Sequence, residues 1–325
     1  MVQYHRQNYT QGRFTVSAQV IDCTAIANEM KEELKKEIEA LKAKGIVVGI
    51  ATVLVGDDFG AKMYRKQVEK FCEEMGVEYV NANPSADSTE ESVVRIVKDL
   101  NENEKVSGIL PLRPFPEHIS DYAIINSIDV NKDVDCFHPY NMGKLTLGEI
   151  TFAPATPSAC IEIMDRENVN FEGAEIVVVG HSNIVGKPIS ILCLNRNATT
   201  STTHIFTSMA GNLAKHTTGA DILIVAAGKA GLITPELIKE GAFVIDVGIN
   251  RVKVLDEKGN PVLNEKGKPK TRTVGDVAFD SVKEKAGKIT PVPGGVGAIT
   301  NMALMKNTVK AAKVQHGLME TSLPL

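Results

Sequence analysis

The sequence predicts a two-domain α/β protein whose halves each carry a mainly parallel, open sheet. Short Val/Ile-rich runs alternate along the whole chain with segments whose apolar residues recur every three or four positions. Its 325 residues suffice for two separate cores. Residues 176–188, IVVVGHSNIVGKP, drive a buried strand into a glycine turn and on toward a helix.

The first helix is predicted over residues 25–44, where Ile26, Met30, Leu34, Ile38 and Leu41 share one face and Gly45 ends the run. A buried strand follows at Ile46–Val55, then a helix over about 60–75, a strand at Val77–Asn81 and a helix over about 89–103. The strand Val106–Leu110 leads into the proline-rich turn PLRPFP. The second half repeats the alternation, with strands at 175–180, 201–206, 221–226 and 243–247 and a short one near 288–291. Residues 255–272 are polar and read as a surface hairpin or loop without a chemical role. A last helix, about 298–314, carries Ile299, Met302, Ala303, Met305, Val309 and Ala312. Strands and helices in alternation imply parallel sheets covered on both faces, with ligands beyond the carboxyl ends of the strands.

Composition narrows the partners. Charged residues make up 23% of the chain, the net charge is −4 and no basic stripe appears, so nucleic acid is not expected. Apolar runs such as ADILIVAAG (220–228) are too short to span a membrane. Cys23, Cys72, Cys136, Cys160 and Cys193 form no C-x-x-C pair and read as buried free thiols in a reducing cytosol. No metal site is expected, and the localisation is read as cytoplasmic. Residues 1–17 hold Arg6 and Arg13, no acids and no apolar core; they are expected to be a disordered extension, with residues 316–325 frayed.

The turn after the strand at 175–180 carries the clearest chemistry. A strand that turns sharply into a helix offers unpaired N–H groups and a positive dipole end to an anion, which is how α/β proteins hold pyrophosphate. Gly180 and Gly186 frame the turn, Ser182 stands where a second fingerprint glycine would be, and Pro188 is placed at the first helical position. A plain strand-to-helix junction would show the same pattern.

Context separates the two. VVVGHSNIVGKP, VIDVGIN (244–250), GDV (275–277) and TPVPGGVG (290–297) occur in this order. Before them come VGDD with a following tyrosine (55–64), KDVDCFHPYNMGKL (132–145) and PATP (154–157). Together these segments resemble the bifunctional methylenetetrahydrofolate dehydrogenase/methenyltetrahydrofolate cyclohydrolase family over roughly residues 18–315. The resemblance implies a folate-binding catalytic domain over 18–153, joined by the C-terminal helix 298–315, and a Rossmann-type nucleotide-binding domain over 154–297. It also implies a homodimer and NADP or NAD as cofactor.

By that resemblance Tyr64 is the catalytic-cleft residue, and Asp135, Gly294, Gly295 and Val296 join it in binding substrate. Gly180, His181, Ser182, Ile184, Val185, Ile205 and Ile249 are expected around the nucleotide. Two positions depart from the family: its lysine four residues after the tyrosine is Val68, and its supporting glutamine is Leu112. Lys62, Lys66 and Lys70 lie two residues off in helical phase and cannot replace the amine. Cys136 stands where the family uses a glycine.

Oxidation of the methylene carrier asks mainly for orientation of two rings, whereas hydrolysis of the methenyl product needs water activated and protons moved. The expectation is therefore a dehydrogenase with weak or absent cyclohydrolase activity. The alternatives are a fully bifunctional enzyme, with Arg113 or a water chain supporting hydrolysis, and a non-catalytic pterin- or nucleotide-binding protein. His181 and Ile205 replace an arginine and a serine common in NADP-using relatives, which tilts the cofactor toward NAD against family precedent; Lys187 and Arg196 are candidate substitutes.

Overall fold

The computed structural model describes residues 17–256, 259–265 and 267–320. The expected disorder over 1–17 falls almost wholly outside the described residues, as do residues 321–325 of the expected frayed end.

The chain enters through β1 (Gln19–Val20) and turns into α1 (Cys23–Lys42), capped by Asp22, whose carboxylate accepts the Ala25 N–H at 2.9 Å. The stripe Ile26, Met30, Leu34, Ile38 and Leu41 is buried, as its spacing requires. Then β2 (Gly49–Leu54), α2 (Phe59–Met75), β3 (Glu78–Ala82), α3 (Glu90–Glu102) and β4 (Gly108–Leu112) build a parallel sheet in the order β3-β2-β4. Every residue of β2, the central strand, is buried.

β4 begins and ends two residues later than the sequence suggests, so Pro111 and Leu112 belong to the strand and not to the turn. Pro111 is tolerated because β4 lies at the edge of the sheet, where a missing N–H breaks no ladder on the outer side. Three helices follow that apolar periodicity did not reveal: α4 (Asp121–Ser127), α5 (Pro139–Leu147) and α6 (Ala155–Arg166). The first two are short, and their signals were caps: Ser120 accepts the Ala123 N–H, and His138 precedes a proline at the first position of α5.

The second sheet is also parallel. β5 (Glu175–Val179), α7 (Gly186–Leu194), β6 (Thr199–Thr203), α8 (Ile205–Met209), α9 (Leu213–Thr217), β7 (Ile222–Val225) and β8 (Phe243–Asp246) come first. A hairpin of β9 (Asn250–Lys253) and β10 (Thr271–Val274), α10 (Phe279–Val282), β11 (Lys288–Ile289) and α11 (Val296–Gln315) complete the chain. The strand order is β1-β11-β8-β7-β5-β6.

Three particulars differ from expectation, while the polar 255–272 segment follows it. β1 pairs with β11, so residues 19–20 belong to this sheet rather than to the segment 18–153 that holds the first one. β6 ends at Thr203, opposite Val179, because His204 turns out of the ladder and caps α8; Ile205 is therefore helical. α7 opens at Gly186, two residues before Pro188. The described residues between β9 and β10 continue the hairpin outward, with bridges at Leu255–Pro261 and Leu263–Pro269.

α11 packs on α1 and α6 and thereby ties the C-terminus to the first half of the chain. It is buried on nearly every side; Asn301 keeps a buried Oδ1 without a hydrogen-bond partner, whereas Asn307 is held by two carbonyls. Asn307, 3% exposed, donates from Nδ2 to the carbonyls of Val134 (2.7 Å) and Ala153 (2.8 Å). Arg166 joins the same helices at the surface through Glu29, Glu33 and Glu162.

Replacing Asn307 with leucine leaves the Val134 carbonyl without its side-chain donor and the Ala153 carbonyl with only the Ser158 hydroxyl (3.3 Å), at an expected cost of about 1–3 kcal/mol. Urea denaturation should show a lower midpoint with an unchanged slope. An unchanged midpoint would mean that the two bonds contribute nothing.

Candidate functional site

All strands of the second sheet run in one direction, so the turns after β5, β7, β8 and β11 gather on a single edge. The β5 turn is shaped by what glycine lacks. Gly180 has φ +122°, and a Cβ there would lie 2.1 Å from the Ala226 carbonyl oxygen. A Cβ on Gly186 would lie 2.1 Å from the Gly180 oxygen. Ser182 is spent on the turn itself, its hydroxyl accepting the N–H groups of Val185 (3.1 Å) and Gly186 (3.4 Å). The turn thus opens α7 with close main-chain approach, a cradle that fits a pyrophosphate.

A cavity of about 530 Å³ adjoins this turn, lined by Gly180, His181, Ser182, His204, Ile205 and Lys229 among others. The rings of His181 and His204 lie 4.9 Å apart, and Phe206 meets His204 edge-on at 5.9 Å. His204 Nδ1 is buried without a hydrogen-bond partner, and Ile205 is 65% exposed. Ile184 and Ile249 are also exposed, as apolar side chains awaiting a ring surface would be. Lys187 is held by Asn183 Oδ1 (2.7 Å), and Arg196 by Asp165 and the Phe171 ring; Arg196 is no part of the cavity lining. A larger recess of about 620 Å³ includes Glu167, Asp221 and Lys288, at the opposite ends of the strands from the glycine turns.

In the first half of the chain, the charge of Asp135 reaches the Tyr64 phenol. Burial, and next the charge of Asp135, push the Tyr64 phenol well above its ordinary value. Burial pushes Asp135 up to about 7, against the pull of the Ala155 N–H (2.8 Å) and of the Arg113 guanidinium. Arg113 lies 4.3 Å over the Phe137 ring and within 3.4 Å of Asp121. Asp133, by contrast, is fully buried and accepts from Phe137 N–H, His138 N–H and Asn141 Nδ2, so it shapes the loop. Cys136 sits at φ +53°, so the backbone keeps a shape that favours glycine although a cysteine occupies it.

Val68 (0% exposed) and Leu112 (2% exposed) belong to the apolar core beneath this group, together with Cys72, Leu54 and Leu110. Gly294 has φ +89°, and a Cβ on Gly295 would meet the Pro291 oxygen at 2.1 Å. Val296, next in sequence, is 3% exposed and packs its side chain into the core.

Sequence reasoning matched VIDVGIN and GDV without seeing what they do. Asp246 accepts the N–H groups of Gly248 (2.9 Å), Asp276 (3.0 Å) and Val277 (2.9 Å). Asp276 accepts those of Ala227 (2.6 Å) and Gly228 (2.8 Å), and Asn250 Nδ2 (2.8 Å). Burial pushes Asp246 up to about 6 despite its three donors. An acid flanked by glycine in both motifs was the available signal.

Comparison with known proteins bears on both regions. Residues 21–135 match the family described as tetrahydrofolate dehydrogenase/cyclohydrolase, catalytic domain; residues 154–316 match its NAD(P)-binding domain. The bifunctional protein FolD of Bacillus pumilus is 46% identical over 298 residues, covering 92% of this chain and 99% of the relative. A crystal structure of the bifunctional enzyme FolD, a methylenetetrahydrofolate dehydrogenase/cyclohydrolase from Campylobacter jejuni, superposes with a TM-score of 0.83 at 40% identity. It covers 92% of this chain and all of its own. The Trypanosoma brucei dehydrogenase-cyclohydrolase, complexed with NADP and an inhibitor, gives a TM-score of 0.81 at 34% identity, over 93% of this chain and 99% of its own.

The raised value at Asp135 fixes the sign of a stability effect. The unfolded carboxyl ionises near the ordinary ~3.9, so between there and about 7 the folded state binds more protons, and rising pH costs it stability. Asp135→Asn keeps an acceptor for Ala155 and never ionises. Its stability relative to the parent should therefore be least favourable near pH 4, rise to about pH 7 and then level off. Thermal denaturation at pH 4, 6 and 8 checks this; a pH-independent difference refutes it.

Proposed function

The chain belongs to the tetrahydrofolate dehydrogenase/cyclohydrolase family, and from that premise we propose that it oxidises 5,10-methylenetetrahydrofolate with NAD(P)+ while hydrolysing the methenyl product weakly or not at all. The observation that carries the second clause is the burial of Val68 and Leu112 in the core below Tyr64. Where the family keeps an amine and the amide that holds it, this chain has two aliphatic side chains.

The nucleotide, when bound, supplies the hydride acceptor. The Gly180–Gly186 turn and the α7 N-terminus would hold its phosphates, and Ile184 and Ile249 would cover its rings. Asp135 would accept the pterin's paired donors, and Tyr64 would orient the folate rings. None of these residues has to move a proton during hydride transfer. Hydrolysis does need proton transfer, and loss of a positioned acid/base typically costs about 10²–10⁴ in rate.

A fully bifunctional enzyme is the second reading. It is favoured by the names of the relatives and by an Asp135 carboxyl whose value near 7 suits it to exchange protons. A homodimeric, cytoplasmic enzyme stays part of the proposal on family membership alone. For the cofactor, NAD is the preferred nucleotide in this reading: among the described residues no guanidinium lines the cavity, Lys229 is its one ammonium, and Lys187 is engaged with Asn183.

On one purified sample, acid-quenched measurement should show methenyltetrahydrofolate accumulating, with hydrolysis at least about 10²-fold slower than its formation. Hydrolysis keeping pace with oxidation establishes the bifunctional reading instead. Val68→Lys alone should leave hydrolysis low and cost on the order of 3 kcal/mol, because it buries an ammonium without its partner; full recovery would contradict the pairing of the two exchanges. The ratio of kcat/KM for NAD to that for NADP should exceed one, and a ratio below one reverses the cofactor assignment.

A further inference from the structure

We propose that Asp276 is a positioning residue for the nicotinamide nucleotide, holding the 226–228 turn in shape for the ligand and latching it to Asn250 at the base of the β9–β10 hairpin. The inference rests on the nucleotide-binding part of the reading above and not on its folate chemistry.

The 226–228 turn forms one wall of the nucleotide site. Ala226 and Ala227 line the cavity, and the Ala226 carbonyl sets how closely Gly180 may approach. Its next two N–H groups point away from the ladder and need an acceptor, because unpaired buried donors are costly. Asp276 Oδ2 accepts both, at 2.6 and 2.8 Å, while Oδ1 takes Asn250 Nδ2 at 2.8 Å.

The carboxylate has little room to shift. Its main chain is stitched beside the loop after β7, with Ile233 N–H on the Asp276 carbonyl (3.0 Å) and Ala278 N–H on the Ile233 carbonyl (2.8 Å). Asp246 grips the Asp276 N–H from behind. A Cβ on Gly248 would lie 2.3 Å from Asp276 Cγ, and one on Gly275 would lie 1.8 Å from Asp246 Oδ2. Both glycines thus clear the space that the acids occupy. The hairpin base meets the same carboxylate, since Asn250 pairs with Val274 in the β9–β10 register. One side chain therefore connects the wall of the nucleotide site, the strand-end loop bearing Ile249, and the hairpin.

An amide in place of this carboxylate separates the possibilities, because Asp276→Asn is nearly isosteric but has only one accepting end. Its Oδ1 keeps the two main-chain donors only if its NH2 turns to Asn250 and Asn250 reverses its own amide to accept, and the bonds that remain lose the carboxylate's charge. Fluorescence titration with NADH and NADPH needs no turnover, so it reads the site even if the folate reaction assigned above is wrong. In D276N the Kd for the better-bound nucleotide should rise at least tenfold. The double variant N250D/D276N restores complementarity, its amide donating to the new carboxylate, and should bring the Kd back to within threefold of the parent.

A merely structural role would lower the number of binding-competent molecules and leave the Kd of the remainder unchanged, which overturns the proposal. So does a swap that recovers no affinity. If D276N does not fold, Asn250→Ala decides: a Kd at least threefold higher supports the latch, and a smaller change overturns it.

Discussion

Main-chain N–H groups left unpaired where parallel strands end are the constraint on which both halves of this molecule depend. Ligands bind at those ends, so the loops there must be tightly shaped without bulky side chains filling the space. Buried and half-buried aspartates solve the problem in both halves. Asp133 and Asp135 gather the donors of Phe137, His138 and Ala155. Asp246 and Asp276 gather those of Ala227, Gly228, Gly248 and Val277. A carboxylate accepts several bonds at once and from different segments, which is why one acid can order two loops.

The same device has an electrostatic consequence. Burial raises Asp135 to about 7 and Asp246 to about 6, while their donors pull the other way. Asp135 is the one whose surroundings, Tyr64 and Arg113, belong to the proposed substrate group. Its charge state there is set by packing and not by a dedicated partner. Beneath that group Val68 and Leu112 fill the core with aliphatic carbon. Under the function proposed above, that packing leaves ring orientation intact and takes proton transfer away, so two reactions that share one cleft can diverge without a change of fold.

Much of the architecture was legible in the residues. The α1 stripe, the helix–strand alternation, the hairpin over the polar 255–272 segment and the return of the last helix all follow from periodicity and turn chemistry. The misread elements share a cause: a competing local signal. Pro111 suggested a turn but lies in an edge strand, and Ile205 suggested strand but follows a capping histidine. The helices α4 and α5 are too short to show a period, although their caps were readable.

The site divides in the same way. Gly180 and Gly186 were visible in the sequence because glycine requirements are local properties, while Tyr64 and the pairing of Val68 with Leu112 entered only through the family resemblance. Only the tertiary structure decided that Val296 turns inward, that Arg196 is engaged elsewhere, and that Ser182 closes its own turn. It alone also joined Asp276 to Ala227, Gly228 and Asn250, residues up to 49 positions away. Hydrogen bonds between segments that distant depend on how strands are ordered in a sheet, and no window of sequence contains that order.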